Sequence, residues 1–317
     1  MRALAVAAAS LFFADLASDA GNAVSTRNRS VSVSGASSQQ QGSLDSLRDS
    51  IVARIGRSPA VTIGLVYHDL ESGDSLALNA DTVFHAASTM KIPVMIEVLR
   101  RSQDGGFSLD QPLLLINEFA SIADGSSFSL DPKEDGDTVL YQRVGQRVPV
   151  RELMQRMITL SSNLATNELI ALVGADRVTE MAHRLGAAHI QVLRGVEDQK
   201  AFDAGLINTT TARDLAVLLT AIETGRVLSH ESSSLMRDIL LAQEFNDKIP
   251  AGLPPGTRVA HKTGEITAVS HDAAIVYPPG RRPYVLVVLT RGLRNAAESS
   301  ALIADIARLV HSRTVTH

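Results

Sequence analysis

The sequence predicts an α+β fold, in which an antiparallel sheet is flanked by N- and C-terminal helices and an all-α subdomain is inserted between its strands. Two observations predict it. β-Branched and apolar runs gather near both ends of the chain, whereas the long middle carries apolar residues at helical spacing. Strands far apart in sequence can pair in one sheet, with the helical insert beside it.

The first residues, "MRALAVAAASLFFADLASDAGNA", combine Arg2, an apolar run from Ala3 to Ala14 and small residues before a possible cleavage after Ala20 or Ala23. That pattern reads as a secretory signal peptide over 1–23, too short to span a bilayer as a mature helix. Residues 24–42 are polar and rich in Ser and Gln, so they read as a flexible tether, with the folded part starting at 43. "SLDSLRDSIVARIG" then sets Leu44, Leu47, Ile51 and Ile55 on one helical face, with Gly56 as a stop. "AVTIGLVYHDL" and "SLALNA", separated by "ESGD", predict a hairpin.

From 88 to 254 the chain predicts helices in "VMIEVLRRSQ", "VRELMQRMITL", "ATNELIALVG", "DRVTEMAHRLG", "TARDLAVLLTAIETG" and "SSSLMRDILLAQ". The polar stretch "SIADGSSFSLDPKEDGDTV" reads as a surface loop. After "AGLPPG" strands return in "TRVAHKTG", "HDAAIVY" and "YVLVVLT", closed by the helix "AAESSALIADIARLVHS". The α/β part therefore covers 43–87 and 255–317, the all-α part 88–254, and the catalytic domain 43–317.

The chain has 317 residues, 45% of them hydrophobic and 20% charged, which suits a large core and excludes a multi-span membrane protein. A net charge of -4 without a long Lys/Arg run argues against a nucleic-acid partner. Without cysteine there is no disulfide, thiolate metal site or lipid-modified residue. The histidines show no metal-ligand spacing and no phosphate-binding glycine motif occurs, so no metal and no cofactor is expected.

Three short motifs carry chemistry. Ser88 and Lys91 form an S-x-x-K at the entry to a helical pattern, where an amine of lowered pKa at i+3 can take the proton of a serine nucleophile. Helix-start N–H groups there can hold a developing oxyanion. Pro93 predicts a tightened or kinked first turn. Ser161-Ser162-Asn163 lies between two helical runs, and Lys262-Thr263-Gly264 ends a strand. Each triplet alone also fits an ordinary cap or turn.

Together and in this order, the motifs resemble those of the penicillin-recognising serine acyltransferases, and their spacing is most similar to class A β-lactamases. The resemblance covers about residues 45 to 312. It implies that Ser88 is the nucleophile, Lys91 its activating amine, and Ser161 the proton relay to the leaving nitrogen. It further implies that Asn163 binds the substrate amide, that Lys262 and Thr263, followed by Gly264, hold the substrate carboxylate, and that the N–H groups of Ser88 and Glu265 form the oxyanion hole. Asn167 matches a further asparagine of the family and is grouped with the substrate-binding residues. The substrates implied are a small β-lactam or a peptidoglycan stem peptide, met by a monomer in the periplasm or outside the cell.

Four positions depart from the pattern. Ser162 replaces an aspartate. His271 stands where an arginine commonly holds the substrate carboxylate, serving either as a protonated substitute or as a packed histidine. In "LRGVEDQKAFDAGLINTTTARDL", Arg194 is followed two positions later by Val196 rather than the glutamate that activates deacylating water, and Asn208 replaces an aspartate. Either Glu197 takes over as base or the site lacks one, as in relatives that act as D-Ala-D-Ala peptidases. The expected activity is β-lactam hydrolysis through an acyl-enzyme on Ser88; the alternative is a D-Ala-D-Ala carboxypeptidase or penicillin-binding protein that deacylates slowly. Serine-dependent glutaminases also use S-x-x-K, and a penicillin-sensing or peptidoglycan-binding domain would keep acylation without turnover.

Overall fold

The computed structural model describes residues 33–58 and 61–316, with side chains from Ser43 onward. The expected signal peptide and residues 24–32 of the expected tether lie outside the described residues. The chain divides into two units, Met1–Gln40 and Gln41–His317, and the sheet, the helical insert and the motifs belong to the second. Helix α1 runs over Val33–Ile55, so residues 33–42, expected as tether, are helical.

Five strands form one antiparallel sheet: β1 Thr62–Asp69, β2 Ser75–Leu78, β3 Arg258–Ile266, β4 Val269–Tyr277 and β5 Tyr284–Arg291, in the spatial order β2-β1-β5-β4-β3. The N-terminal hairpin thus joins the C-terminal strands through β1 and β5, with Leu65 facing Val288 and Tyr67 facing Leu286. Central strand β5 is apolar at consecutive positions because both its faces are covered. Tyr284, Leu286 and Val288 pack with Leu47 and Ile51 of α1 and with Ile303, Ile306 and Val310 of the last helix, Ala296–Thr316. Val285, Val287 and Leu289 join the other core, shared with the helical insert.

The insert holds α2 Lys91–Gln103, α3 Val150–Thr159, α4 Asn163–Val173, α5 Ala175–Arg184, the short α6 Gln199–Asp203, α7 Ala212–Glu223 and α8 His230–Leu241. The C-terminal helix is α9. Buried Met95, Ile96, Val98 and Leu99 of α2 make it the insert's central helix. Thr211 caps α7 by accepting from Asp214 N at 3.1 Å, and α7 lies against β1, β4 and β5. The polar stretch expected as a loop contains the short strand Ser127–Phe128, which pairs with Phe119–Ala120 just ahead of it, and a 3-10 turn at Pro132–Glu134. No described helix is long and apolar enough to cross a membrane.

Candidate active site

Ser88 sits in a 3-10 turn, Ala87–Met90, that leads into α2 at Lys91. Pro93 falls in the first turn of α2, where an α-helix leaves its N–H groups unpaired, so the ring tightens the entry without removing a bond. Ala87 has φ 45, a left-handed conformation that an alanine adopts only under constraint. The constraint is local: Ala87 N donates to Nδ1 of His85 at 2.9 Å, and Ala86 N donates to Asn208 O at 2.8 Å.

Lys91 is fully buried, and its Nζ donates to Ser161 O at 2.7 Å, Ser161 Oγ at 3.1 Å and Asn163 Oδ1 at 2.8 Å. These acceptors claim the amine, so the expected contact with Ser88 is not made as a direct hydrogen bond. Lys262, also fully buried, donates to the same Ser161 Oγ at 3.1 Å and to Thr263 O at 2.9 Å. One hydroxyl therefore lies between two ammonium groups. Ser161 reaches this place with φ 56, between the end of α3 and the start of α4.

Burial pushes the Lys91 amine down to about 7, although the carboxylates of Asp135 and Glu197 pull the other way. Lys262 is pushed well below the usual lysine range, by burial first and by the charge of Lys91 second. Two buried amines sharing a serine thus resist carrying two protons together.

Ser162, in place of an aspartate, is a helix cap: its Oγ accepts from Ala165 N at 3.3 Å. The missing carboxylate comes from elsewhere, because buried Asp135 accepts from Asn163 N at 2.8 Å, Leu164 N at 3.0 Å and the Tyr141 hydroxyl at 2.8 Å. Sequence reasoning missed Asp135. Its only signal was an acid inside a polar stretch, which nothing local distinguishes from solvated surface.

Strand β3 is an edge of the sheet, so part of its backbone is free to face a cleft. A side chain at Gly264 would put its Cβ 3.1 Å from Ser88 N and Thr89 N, so glycine lets the strand pass close to Ser88. Ser88, Ser161, Asn163, Thr263, Gly264 and Glu265 line one pocket, with Glu134, Gly136, Phe245, Asp247 and Lys248 completing it. Lys248, which sequence reasoning also missed, is a buried cation paired with Glu265 at 3.1 Å.

His271 does not supply that cation. It is fully buried, burial holds it neutral with a pKa of about 4, and its Nε2 lies 2.9 Å from His85 O while its Nδ1 accepts from Thr290 N at 3.2 Å. The ring stands edge-on to Phe84. The packed histidine is the outcome, and a carboxylate-holding role for His271 is withdrawn.

Asn167 also differs from expectation. It is buried, and both ends of its amide are bound to the loop backbone: Val196 N donates to Oδ1 at 2.7 Å and Nδ2 donates to Val196 O at 3.1 Å. It holds the loop, and it is not among the residues that line the pocket. The base of the loop is pinned by Asn208, whose Oδ1 accepts from Leu193 N and Arg194 N and whose Nδ2 donates to Arg194 O. Arg194 bonds to the carbonyls of Leu206 and Gly195, and no ion pair joins it to Glu197 among the described residues.

With Val196 clamped, Glu197 turns through φ 61 and its Oε1 accepts from Asn163 Nδ2 at 2.5 Å. Asn163 thereby bridges Glu197 and Lys91. Crowding around the carboxylate raises its pKa, against the hydrogen bond from Asn163, and the exposure of the residue tempers that effect. The neighbouring Asp198 is buried and engaged elsewhere: it caps α6 by accepting from Ala201 N and accepts from Ser121 Oγ and Ile122 N.

A family model described as "Beta-lactamase enzyme family" matches residues 46–314. The chain belongs to that family. The β-lactamase of Streptomyces albus G is 29% identical over 264 residues, covering 82% of each chain, and β-lactamase AST-1 of Nocardia asteroides is 30% identical over 263 residues, covering 81% of each. A solved structure of PBP-A matches with a TM-score of 0.74 at 30% identity, over 86% of this chain and 97% of that one. A point mutant of PBP-A, solved as an acyl-enzyme complex with penicillin G, matches with the same score. The α+β architecture with an inserted helical part is therefore the fold of β-lactamase and penicillin-binding structures.

Proposed function

We propose that the protein is a serine hydrolase that opens β-lactam rings through an acyl-enzyme on Ser88. The observation that carries this reading is the Ser161 hydroxyl held 3.1 Å from both Lys91 and Lys262, beside Ser88 in one pocket. A neutral amine has two N–H groups and one lone pair, so when Lys91 loses its proton it gives up one of its three contacts and can accept the Ser88 proton. The Ser88 oxygen adds to the lactam carbonyl, and the N–H groups of Ser88 and Glu265 take the oxyanion. Ser161 passes a proton from the Lys91 side to the departing nitrogen as the C–N bond breaks. Thr263 grips the substrate carboxylate, with Lys248 in the place the sequence assigned to His271. Glu197 then takes a proton from water, whose oxygen attacks the ester and frees Ser88.

A second reading rests on Val196. It occupies the position two residues after Arg194, and the similarity to PBP-A favours a penicillin-binding protein or D-Ala-D-Ala carboxypeptidase that releases the acyl group slowly. Incubation with a chromogenic cephalosporin and, separately, a D-Ala-D-Ala peptide decides between them. Sustained hydrolysis of the cephalosporin supports the first; a burst of about one product per enzyme with peptide cleavage supports the second. Action on neither would remove both. Export belongs to the proposal, and the N-terminal residue of protein recovered outside the cytoplasm tests it.

A further inference from the structure

Lys248 is held by two carboxylates that are not alike. Its Nζ lies 3.1 Å from Glu265 Oε2 and 3.3 and 3.4 Å from the oxygens of Asp247. Asp247 is fixed a second time, by Ser300 Oγ donating at 2.5 Å. The Glu265 carboxylate has no hydrogen bond among the described residues other than the one from Lys248, and its side chain is 46% exposed. A half-exposed carboxylate held by a single contact exchanges readily.

We propose that Glu265 is a specificity-determining residue whose side chain occupies Lys248 in the empty pocket, so that an anionic substrate must displace it. The inference rests on the functional reading above, in which Thr263 grips a carboxylate. Lys248 stays cationic: burial disfavours its proton, but the charge of Asp247 and the bond to Glu265 outweigh that and raise its pKa. Only Glu265 can yield, because Asp247 remains tied to Ser300. The released side chain has room, since Glu265 and Asp247 also line an adjoining groove along α9 whose wall includes Arg308. The competition selects against carboxylate ligands and leaves uncharged ones unaffected. Glu265 therefore sets substrate preference through its side chain, apart from any role of its N–H.

Two acyl boronic acids, identical except that one carries a carboxylate, test this as inhibitors of the full chain. The ratio of their inhibition constants cancels any change common to both. Glu265→Gln should shift that ratio about twofold to fivefold in favour of the carboxylate-bearing compound, the scale of an exposed ion pair. Glu265→Thr should do the same, and Lys248→Met should shift the ratio the other way. An unchanged ratio in both Glu265 variants would overturn the inference while leaving the functional reading intact. Failure of either compound to inhibit the wild type would overturn that reading, and the inference with it.

Discussion

The two walls of the pocket are built from different forces. On one side, next to Ser88, the buried amines of Lys91 and Lys262 share the Ser161 hydroxyl between them. The opposite wall, the loop from Arg194 to Asn208, is held largely through its backbone, by the amides of Asn167 and Asn208 together with Arg194 and Asp198, and its Glu197 carboxylate bonds to Asn163. Buried charge is costly unless paired and leaves little freedom of arrangement, so the first wall is over-determined. The second wall depends on the placement of one exposed carboxylate, Glu197. Acylation and deacylation should therefore differ in how easily they break.

The largest effect is expected at the nucleophile. Ser88→Ala should abolish covalent attachment of labelled penicillin and lower turnover by on the order of a thousandfold or more. Mass spectrometry that finds the adduct on another serine would remove Ser88 from its place. Next comes the opposite wall. Glu197→Gln should leave acylation largely intact and slow release of the acyl group by roughly a hundredfold, within the range of general-base catalysis. Fast steady-state hydrolysis by that variant would send the search for the base elsewhere. Should the wild type itself burst and stall, Val196→Glu should speed release.

Changing pH separates the walls without mutation. With Lys91 near 7, acylation should rise about tenfold per unit as pH approaches 7 from below and level off above it. Stability has its own sign: the unfolded chain binds the Lys91 proton more tightly than the folded one, so this amine adds stability as pH rises from about 7 towards the ordinary lysine range. A pre-steady-state acylation rate independent of pH between 6 and 8 (about one unit either side of the Lys91 value) would show that Lys91 is not the base. Loosening the loop is gentler: Asn167→Ala should cost about 1–3 kcal/mol by leaving the Val196 N–H and C=O unpaired, and should slow deacylation more than acylation. Equal slowing of both steps would show that Asn167 supports the whole pocket and not one wall.

The same contrast governed what could be read from the sequence. The charged wall was legible because its chemistry fixes residue types in short motifs, and the five strands were legible because β-branched runs near both ends have one natural way to pair. Residues that act through three-dimensional neighbours were not. Asp135 replaces the carboxylate missing at Ser162 from a segment that reads as loop, and Lys248 lines the pocket only because the fold brings it beside the end of β3. For His271 the sequence left a protonated substitute for arginine and a packed histidine open, and burial against Phe84 favours the second by lowering its pKa. Asn167 was grouped with substrate contacts, since sequence says nothing of which backbone its amide faces.

The smallest effect is expected far from either wall, at the N-terminus. A chain starting at Gly42 removes the early part of α1, residues 33–41, "VSGASSQQQ", which include Gly35 and no charged side chain. It keeps Leu47 and Ile51, buried under β5, together with the bond from Arg54 Nε to Asp305 at 2.7 Å that ties α1 to α9. The lost segment has few apolar residues and a helix-weakening glycine, Gly35, so its helix contributes little beyond its own bonds. Melting temperature should fall by no more than a few degrees, as a loss of about 1 kcal/mol would give. Acylation and release should both persist, because neither wall contains a residue before Ser88. Loss of soluble protein on this truncation would show that residues 33–41 hold the domain together, and would make α1 a structural element along its whole length.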